Sequence, residues 1–354
     1  MAMRVLVTGG AGFVGSHLAL GLRSKMTAGV VALDNLHRRG SELNLPRLRD
    51  GGVSFVHGDI RSETDLEQAG PFDVLLECSA EPSVMAGYGE SPRYVIDTNL
   101  LGAINCLEAA RKRGASVIFL STSRVYPLRL LNGLRYHETE TRFVLEEQQD
   151  VPGASGQGIS ERFPLDGPRS LYGATKLASE ILLQEYVEMY GLRGVINRCG
   201  ILTGPWQMGK TDQGVVVLWA ARHVFGGPLS YIGYGGKGRQ VRDILHVDDI
   251  LQLVLYQLNH LDDLNGEVFN VGGGLGNTLS LRELTDLCRK HAGQSIDIQE
   301  EAETRPADVP IYITDNTKVS RATGWQPRRT VDSIVQEICQ WIEANRELLR
   351  PVLS

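Results

Sequence analysis

Short apolar runs alternate with stretches of helical spacing through the first half of the chain. Residues 3–8 (MRVLVT) are apolar along most of their length, as are 30–33, 53–56, 74–77 and 117–120, and each is of strand length. Residues 13–22 repeat apolar side chains at helical spacing. A longer helical pattern before 117–120 carries Val95, Ile96, Leu100, Ala103, Ile104 and Leu107 on one side. Strands apolar on both faces, separated by helices, are what a parallel sheet covered on both sides requires. The pattern predicts an α/β fold with a doubly wound parallel sheet.

The order loosens after Tyr126. About forty-five residues separate it from Tyr172, rich in Glu, Gln, Gly, Ser and Pro and without a clean period, and loops this long are usually functional or disordered. Residues 170–191 then return to a strong helix and 193–197 to a strand. Beyond them, 241–245, 247–258, 268–271, 280–291, 311–314 and 331–344 mix short strands and helices. This predicts a first domain over 1–198, to which segments near 241–272 return, and a smaller mixed α/β lobe over 199–354.

Composition narrows the class. The 354 residues are too many for one minimal domain, and 42% hydrophobic with 22% charged residues is ordinary globular composition. A net charge of −6 argues against a nucleic-acid partner. No apolar run approaches the roughly 18 residues of a membrane span. Met1-Ala2-Met3-Arg4 runs straight into the first strand without the regions of a signal peptide. Cys78, Cys106, Cys199, Cys288 and Cys339 are widely spaced, with no CxxC pair, and read as reduced, mostly buried thiols. The expectation is a cytoplasmic protein with no membrane segment and no metal site. The 40 glycines are the informative excess.

Several of those glycines fall where the backbone needs room. Thr8-Gly9-Gly10-Ala11-Gly12-Phe13-Val14-Gly15 follows the first strand and opens the first helix. Gly9, Gly12 and Gly15 permit a tight turn, close approach of a pyrophosphate and close helix–strand packing. The helix start offers N–H groups to phosphates. Asp34 ends the second strand, where an acid accepts from ribose hydroxyls and disfavours a 2′-phosphate. This predicts a Rossmann sheet binding NAD. Arg38 and Arg39 could neutralise a 2′-phosphate and so keep NADP open, or be solvated loop charges. Asp59, in His57-Gly58-Asp59-Ile60, could accept from an adenine amino group or cap the following helix.

A second cluster suits acid–base chemistry. Tyr172 and Lys176, in Tyr-Gly-Ala-Thr-Lys, lie four apart on one helix face. A free phenol titrates near 10, and a neighbouring cation lowers that value. Ser121-Thr122-Ser123 ends the fifth strand, at the sheet edge where ligands bind; a hydroxyl there could hold a substrate oxygen or satisfy the strand end. Asn99 sits inside an apolar helix that asparagine does not favour, which hints at a polar task or a solvent-facing position.

The chain resembles the extended short-chain dehydrogenase/reductase family, the NAD-dependent epimerase/dehydratases, over essentially its whole length. The resemblance rests on TGGAGFVG, Asp34, Asp59-Ile60, Asn99 in TNLLGAINCLEAA, LSTSRVY, YGATK, RQVRDILHVDD, FNVGG and RPAD. It implies that Thr122 and Tyr172 touch the reacting hydroxyl, while Lys176 binds the nicotinamide ribose and tunes the tyrosine. The implied cofactor set is Gly9, Gly12, Phe13, Val14, Gly15, Asp34, Asn35, Asp59, Ile60, Ser79, Ala80, Asn99 and Ser121, with Tyr172 and Lys176. Thr122, Ser123, Gln213, Arg242 and Arg305 are implied for a nucleotide-sugar, the arginines at its pyrophosphate.

Within that family, 4,6-dehydratases carry an Asp-Glu pair directly after the strand-end threonine; here Ser123 and Arg124 stand there. Residues 136–142 (YHETETR), STSRVYP, Asp212-Gln213-Gly214 and GYGGKGRQVRDILH resemble the subgroup that inverts C2 of a CDP-sugar. Pro127, where glycine is usual, and Ile201, where many relatives have a polar residue, depart from the commoner family pattern. The implied activity is an NAD-dependent nucleotide-sugar epimerase, a CDP-sugar being favoured. A UDP-sugar 4-epimerase, a sugar-nucleotide dehydratase and a net NAD(P)-dependent reductase remain alternatives. The resemblance also implies a homodimer or homotetramer, built on helices at 101–113 and 170–191. Trp206 and Trp219 could line the pocket or fill the core, where Trp325 and Trp341 are expected.

Overall fold

In the computed structural model, which describes residues 3–26, 29–209 and 213–354, the apolar runs become strands of one sheet. They are β1 (Arg4–Thr8), β2 (Gly29–Asp34), β3 (Ser54–His57), β4 (Val74–Glu77), β5 (Ser116–Thr122), β6 (Gly194–Cys199) and β7 (Val268–Val271). The order is β7-β6-β5-β4-β1-β2-β3, and every registered pairing from β6 to β3 is parallel. All residues of β4, β5 and β6 are buried, so these strands read as continuous rather than alternating apolar runs. The strand order reverses between β1 and β4, and the carboxyl ends of those strands are where such sheets bind ligands.

Three helices place the chemistry-bearing residues: α1 (Phe13–Lys25), α2 (Gly102–Arg113) and α3 (Leu171–Tyr190). Ser170 caps α3 by accepting from the Gly173 N–H at 3.2 Å, and Gly191 ends it in the left-handed conformation. Leu6, Leu75, Val117, Phe119 and Ile196 of the sheet form one core with Ala103, Cys106, Leu107 and Ala110 of α2 and Leu183 of α3. The long helical pattern before β5 is interrupted. Asp97–Leu101 form a π turn that inserts one residue, burying Thr98 and Asn99 and exposing Leu101.

The chain divides into two compact units without a single boundary: 1–125, 170–199 and 250–269 form the first, and 126–169, 200–249 and 270–354 the second. In the second, Val241–His246 pairs with Ile201–Thr203, Thr278–Ser280 and Ile311–Tyr312. The helices Val215–Phe225, Leu281–Ala292 and Val331–Ala344 pack on one another. The period-free stretch after Tyr126 is ordered. It holds the helix Leu128–Asn132 and the antiparallel pairs Tyr136–Glu138 with Phe143–Leu145 and Ala154–Ser155 with Gly158–Ile159. Arg142 pins it by donating to the Glu283 carboxylate, the Thr278 hydroxyl and the Thr278 carbonyl. The strand expected over 311–314 is only Ile311–Tyr312. Among the described residues no helix is long and apolar enough to cross a membrane.

Candidate active site

The glycine turn after β1 is built too tightly for side chains. Gly9 has φ +63°, and a Cβ there would lie 2.8 Å from the Cys78 carbonyl oxygen, just past β4. A Cβ at Gly15 would lie 2.1 Å from the Gly9 carbonyl oxygen. α1 begins at Phe13 with no side-chain cap and no acid in its first turn. The N–H groups of Phe13, Val14 and Gly15, which helix geometry leaves without intrahelical acceptors, suit an anion.

Asp34, at the end of β2, accepts from the Ala11 N–H at 3.1 Å and the Leu36 N–H at 2.8 Å, and burial pushes its carboxyl up. Asn35 donates to Asp59 at 2.8 Å, and Arg61 grips the same carboxylate at 3.0 and 2.7 Å. Burial raises the Asp59 carboxyl, but hydrogen bonds from Arg61 and Asn35 outweigh it and bring it to about 2. Ser62, not Asp59, caps the following helix. Ile60 is buried against Gly102. Arg38 is half-buried and Arg39 exposed on the loop after Asp34. A cradle that excludes side chains, an uncapped helix start and a strand-end acid fit a dinucleotide.

Tyr172, Lys176 and Glu180 fall at i, i+4 and i+8 of α3 and form one polar stripe. The Lys176 ammonium donates to Glu77 at 3.1 Å and to the Ser79 carbonyl at 3.5 Å, and lies 4.3 Å from the centre of the Phe119 ring. Both partners of this ion pair are buried. One turn on, Glu180 is held by Arg198, with Nε at 3.0 Å and Nη2 at 2.7 Å from Oε2, and the Ser121 hydroxyl donates to its other oxygen. Two buried ion pairs thus tie α3 to β4 and to β6.

Tyr172 is half-buried and shares a hydrogen bond with Thr122, whose hydroxyl also accepts from the Arg124 N–H at 3.2 Å. Burial pushes the Tyr172 phenol up; Lys176 and Thr122 pull it down without cancelling that effect. Burial works against the Lys176 ammonium, but Glu77 and then Tyr172 outweigh it and hold the ammonium above its usual value. Burial pushes the Glu77 carboxyl up against the pull of Lys176.

The first unit therefore brings Thr122, Tyr172 and Lys176 together, with Ser79 and Ala80 following the same strand end as Glu77. Two predicted cofactor residues have committed side chains. The Ser121 hydroxyl serves Glu180. The Asn99 amide clasps Glu81, accepting from its N–H at 2.7 Å and donating to its carbonyl at 3.0 Å. Ser123 lies half-buried in the turn after β5.

In the second unit, Arg242 donates to Asp308 at 2.7 Å and to the carbonyls of Val241, Val309 and Pro310. The RQVRD and RPAD segments are thereby joined, with Arg305 half-buried in the latter. Gln213 is half-buried, and Asp212 lies outside the described residues. Trp219 belongs to the core, donating to Thr285 at 2.9 Å, and Trp206 packs on Trp341. Glu77, Glu180 and Arg198 were not foreseen. Glu180, four residues past Lys176, carried a signal in its spacing; the other two look like ordinary strand-end residues.

The profile of the NAD dependent epimerase/dehydratase family matches residues 5–272. A CDP-paratose 2-epimerase from Salmonella typhi is 31% identical over 347 residues, covering 96% of this chain and 99% of its own. A dTDP-glucose 4,6-dehydratase from Salmonella typhimurium is 28% identical, covering 99% and 96%. The crystal structure of a UDP-glucose 4-epimerase from Thermus thermophilus in complex with NAD is similar with a TM-score of 0.77 at 30% identity, covering 96% of this chain and 99% of that one. On the strength of the profile and of a relative above 30% identity along nearly its whole length, this chain belongs to the NAD dependent epimerase/dehydratase family.

Proposed function

We propose that the protein is an NAD-dependent nucleotide-sugar epimerase that inverts C2 of a CDP-sugar of the paratose/tyvelose type. The observation that carries the reading is the Thr122–Tyr172–Lys176 cluster, a half-buried phenol between a buried hydroxyl and a buried ammonium, in a chain whose residues after Thr122 are Ser123 and Arg124. Epimerisation by oxidation and reduction needs one group to take and return a hydroxyl proton. Dehydration needs a further acid and base, and neither residue after Thr122 is a carboxylate. The similarity to a CDP-paratose 2-epimerase supports the choice of C2 and of the nucleotide.

In this reading the glycine turn and the first turn of α1 hold the pyrophosphate of NAD, and Asp34 holds the adenosine ribose. When bound, NAD would supply the hydride acceptor and donor that the oxidation and reduction of the sugar carbon require. Thr122 orients the sugar hydroxyl, and Tyr172 takes its proton and gives it back after the ketone has turned. Lys176 stabilises the phenolate. Arg242 and Arg305 serve the substrate pyrophosphate, which holds the nucleotide while the sugar reorients.

The test is proton NMR of CDP-paratose incubated in D2O with the purified protein and no added cofactor. Inversion at C2 without deuterium at that carbon is expected, because a returned hydride does not exchange with solvent. No change at C2 overturns the reading, and inversion at C4 of a UDP-sugar would then assign a 4-epimerase. Tyr172→Phe should abolish turnover and leave NAD bound; full activity there sinks the scheme.

A further inference from the structure

Glu77 places a carboxylate where the proposed chemistry calls for a cation. It ends β4, in register with Thr8 of β1 and Phe119 of β5, beside the point where the strand order reverses. One carboxylate oxygen accepts from the Lys176 ammonium at 3.1 Å and the other from the Ser79 N–H at 2.9 Å. The two side chains are only 3% and 2% exposed. A buried pair of this kind is weak evidence for stability, because desolvating both charges offsets their attraction. Its position beside Tyr172 asks for another explanation.

We propose that Glu77 is a positioning residue of the reaction: it fixes the Lys176 ammonium at the end of β4 and, by cancelling its charge, sets how readily Tyr172 releases its proton. The proposal rests on the reading of Tyr172 as the base. Lys176 is held from three sides, by Glu77, the Ser79 carbonyl and the Phe119 ring, so its rotamer is settled before any ligand arrives. A lone buried ammonium would pull the phenol far down; paired with Glu77 it pulls less.

The other groups around the pair are accounted for. Cys78 follows Glu77, Cys106 comes from α2 and Cys199 from β6, and burial holds all three thiols above their usual value, so they stay protonated near neutrality. Glu180 and Arg198 cancel each other one turn along α3. Arg124, from the turn after β5, adds a pull on the phenol that Glu77 does not cancel.

Two readouts test this, one of which needs no turnover. The first is the tyrosinate absorbance of the protein as pH rises, with the matching Tyr172→Phe protein subtracted; the second is the pH profile of kcat/KM. Glu77→Gln leaves the pocket one charge more positive, so the Tyr172 titration and both limbs of the profile should move down by about one pH unit. Glu77→Asp keeps the charge and should hold the limbs within about 0.3 unit of the parent, even where its melting temperature falls. Unmoved limbs and an unmoved phenol in a folded Glu77→Gln overturn the proposal.

Should Glu77→Gln not fold, Glu77→Gln/Lys176→Met replaces the pair by two neutral groups, which structures tolerate better than a lone charge. With no net charge removed, its Tyr172 should titrate within about half a unit of the parent. A rise of about two units, as Lys176 acting uncancelled would require, overturns the proposal. Turnover retained by Tyr172→Phe overturns the base reading and this proposal with it. Turnover lost there, with unshifted limbs in Glu77→Gln, overturns this proposal alone.

Discussion

Arg198→Met tests whether polar anchors hold the helix that carries Tyr172 and Lys176. Arg198 is 5% exposed and Glu180 1%, so the carboxylate left behind has no water to turn to. The substitution removes contacts of 2.7, 3.0 and 3.2 Å to Glu180 and leaves the Ser121 hydroxyl donating to it. Breaking one side of a buried pair costs about 3–5 kcal/mol, because the surviving charge is uncompensated. Methionine recovers part of the lost packing but none of the charge, so about 3 kcal/mol is expected. That is a large share of the roughly 5–15 kcal/mol by which a typical protein is stable. Urea unfolding followed by circular dichroism measures it, and a shift of midpoint at unchanged slope would mark a pure stability loss. Glu180→Leu/Arg198→Met is the control, since removing both charges should restore most of the loss. A single variant within about 1 kcal/mol of the parent would refute the argument, as would a double variant no better than the single.

Two further outcomes follow from the geometry. A Cβ at Gly15 would sit 2.1 Å from a backbone oxygen, where ordinary contact begins at 3.4 Å, whereas one at Gly12 would sit at 3.1 Å. Gly15→Ala should therefore displace the turn, costing about 1–3 kcal/mol and roughly 10- to 100-fold in NAD affinity, with Gly12→Ala clearly milder by calorimetric titration. His246 is buried, and burial lowers its imidazole below the ordinary value against the opposing pull of Asp248, Glu337 and Asp249; Arg329 lowers it further. The unfolded chain then binds that proton more readily. The contribution of a neutral His246 is fully present above about pH 6.5 and is lost as pH falls below it, by up to about 1.4 kcal/mol per unit. His246→Asn should flatten that slope in unfolding measurements between about pH 7.5 and 5.5; an unchanged slope would refute the assignment.

What was legible in the sequence is what burial writes into it. β4, β5 and β6 are buried throughout, so their apolar runs could be read directly, and the glycine turn showed because only glycine fits there. Tyr172 and Lys176 showed because a helix puts i and i+4 side by side. The ion pairs did not, because Glu77 lies 99 residues from Lys176 and nothing local marks a strand-end acid as buried. For Asn99 the sequence leaves a polar task and a solvent-facing position open; the π turn that buries it against the Glu81 backbone shifts the helical register by one residue, which no 3.6-residue pattern reveals. The stretch after Tyr126 hid its order for a related reason. Its paired strands are only two or three residues long, and Arg142 is anchored to Glu283, 141 positions away.

Polar anchors of this kind do something that apolar packing does not. Burial of Leu183 against the core is non-directional, and a helix could slide or rotate slightly on such a surface at little cost. A forked Arg198–Glu180 contact at one point of α3 and a Lys176–Glu77 contact one turn earlier fix both its rotation and its axial position. Misplacing a reacting group by about 1 Å can cost on the order of 100-fold in rate. Glu180→Leu/Arg198→Met should therefore separate the two roles, unfolding at close to the parental urea midpoint while losing on the order of 10- to 100-fold in kcat. NAD should remain bound, since the glycine turn and Asp34 are untouched. Parental kcat in that folded double variant would show that the Arg198–Glu180 pair has no part in aligning the site, which would then rest on the apolar contacts and the Lys176–Glu77 pair.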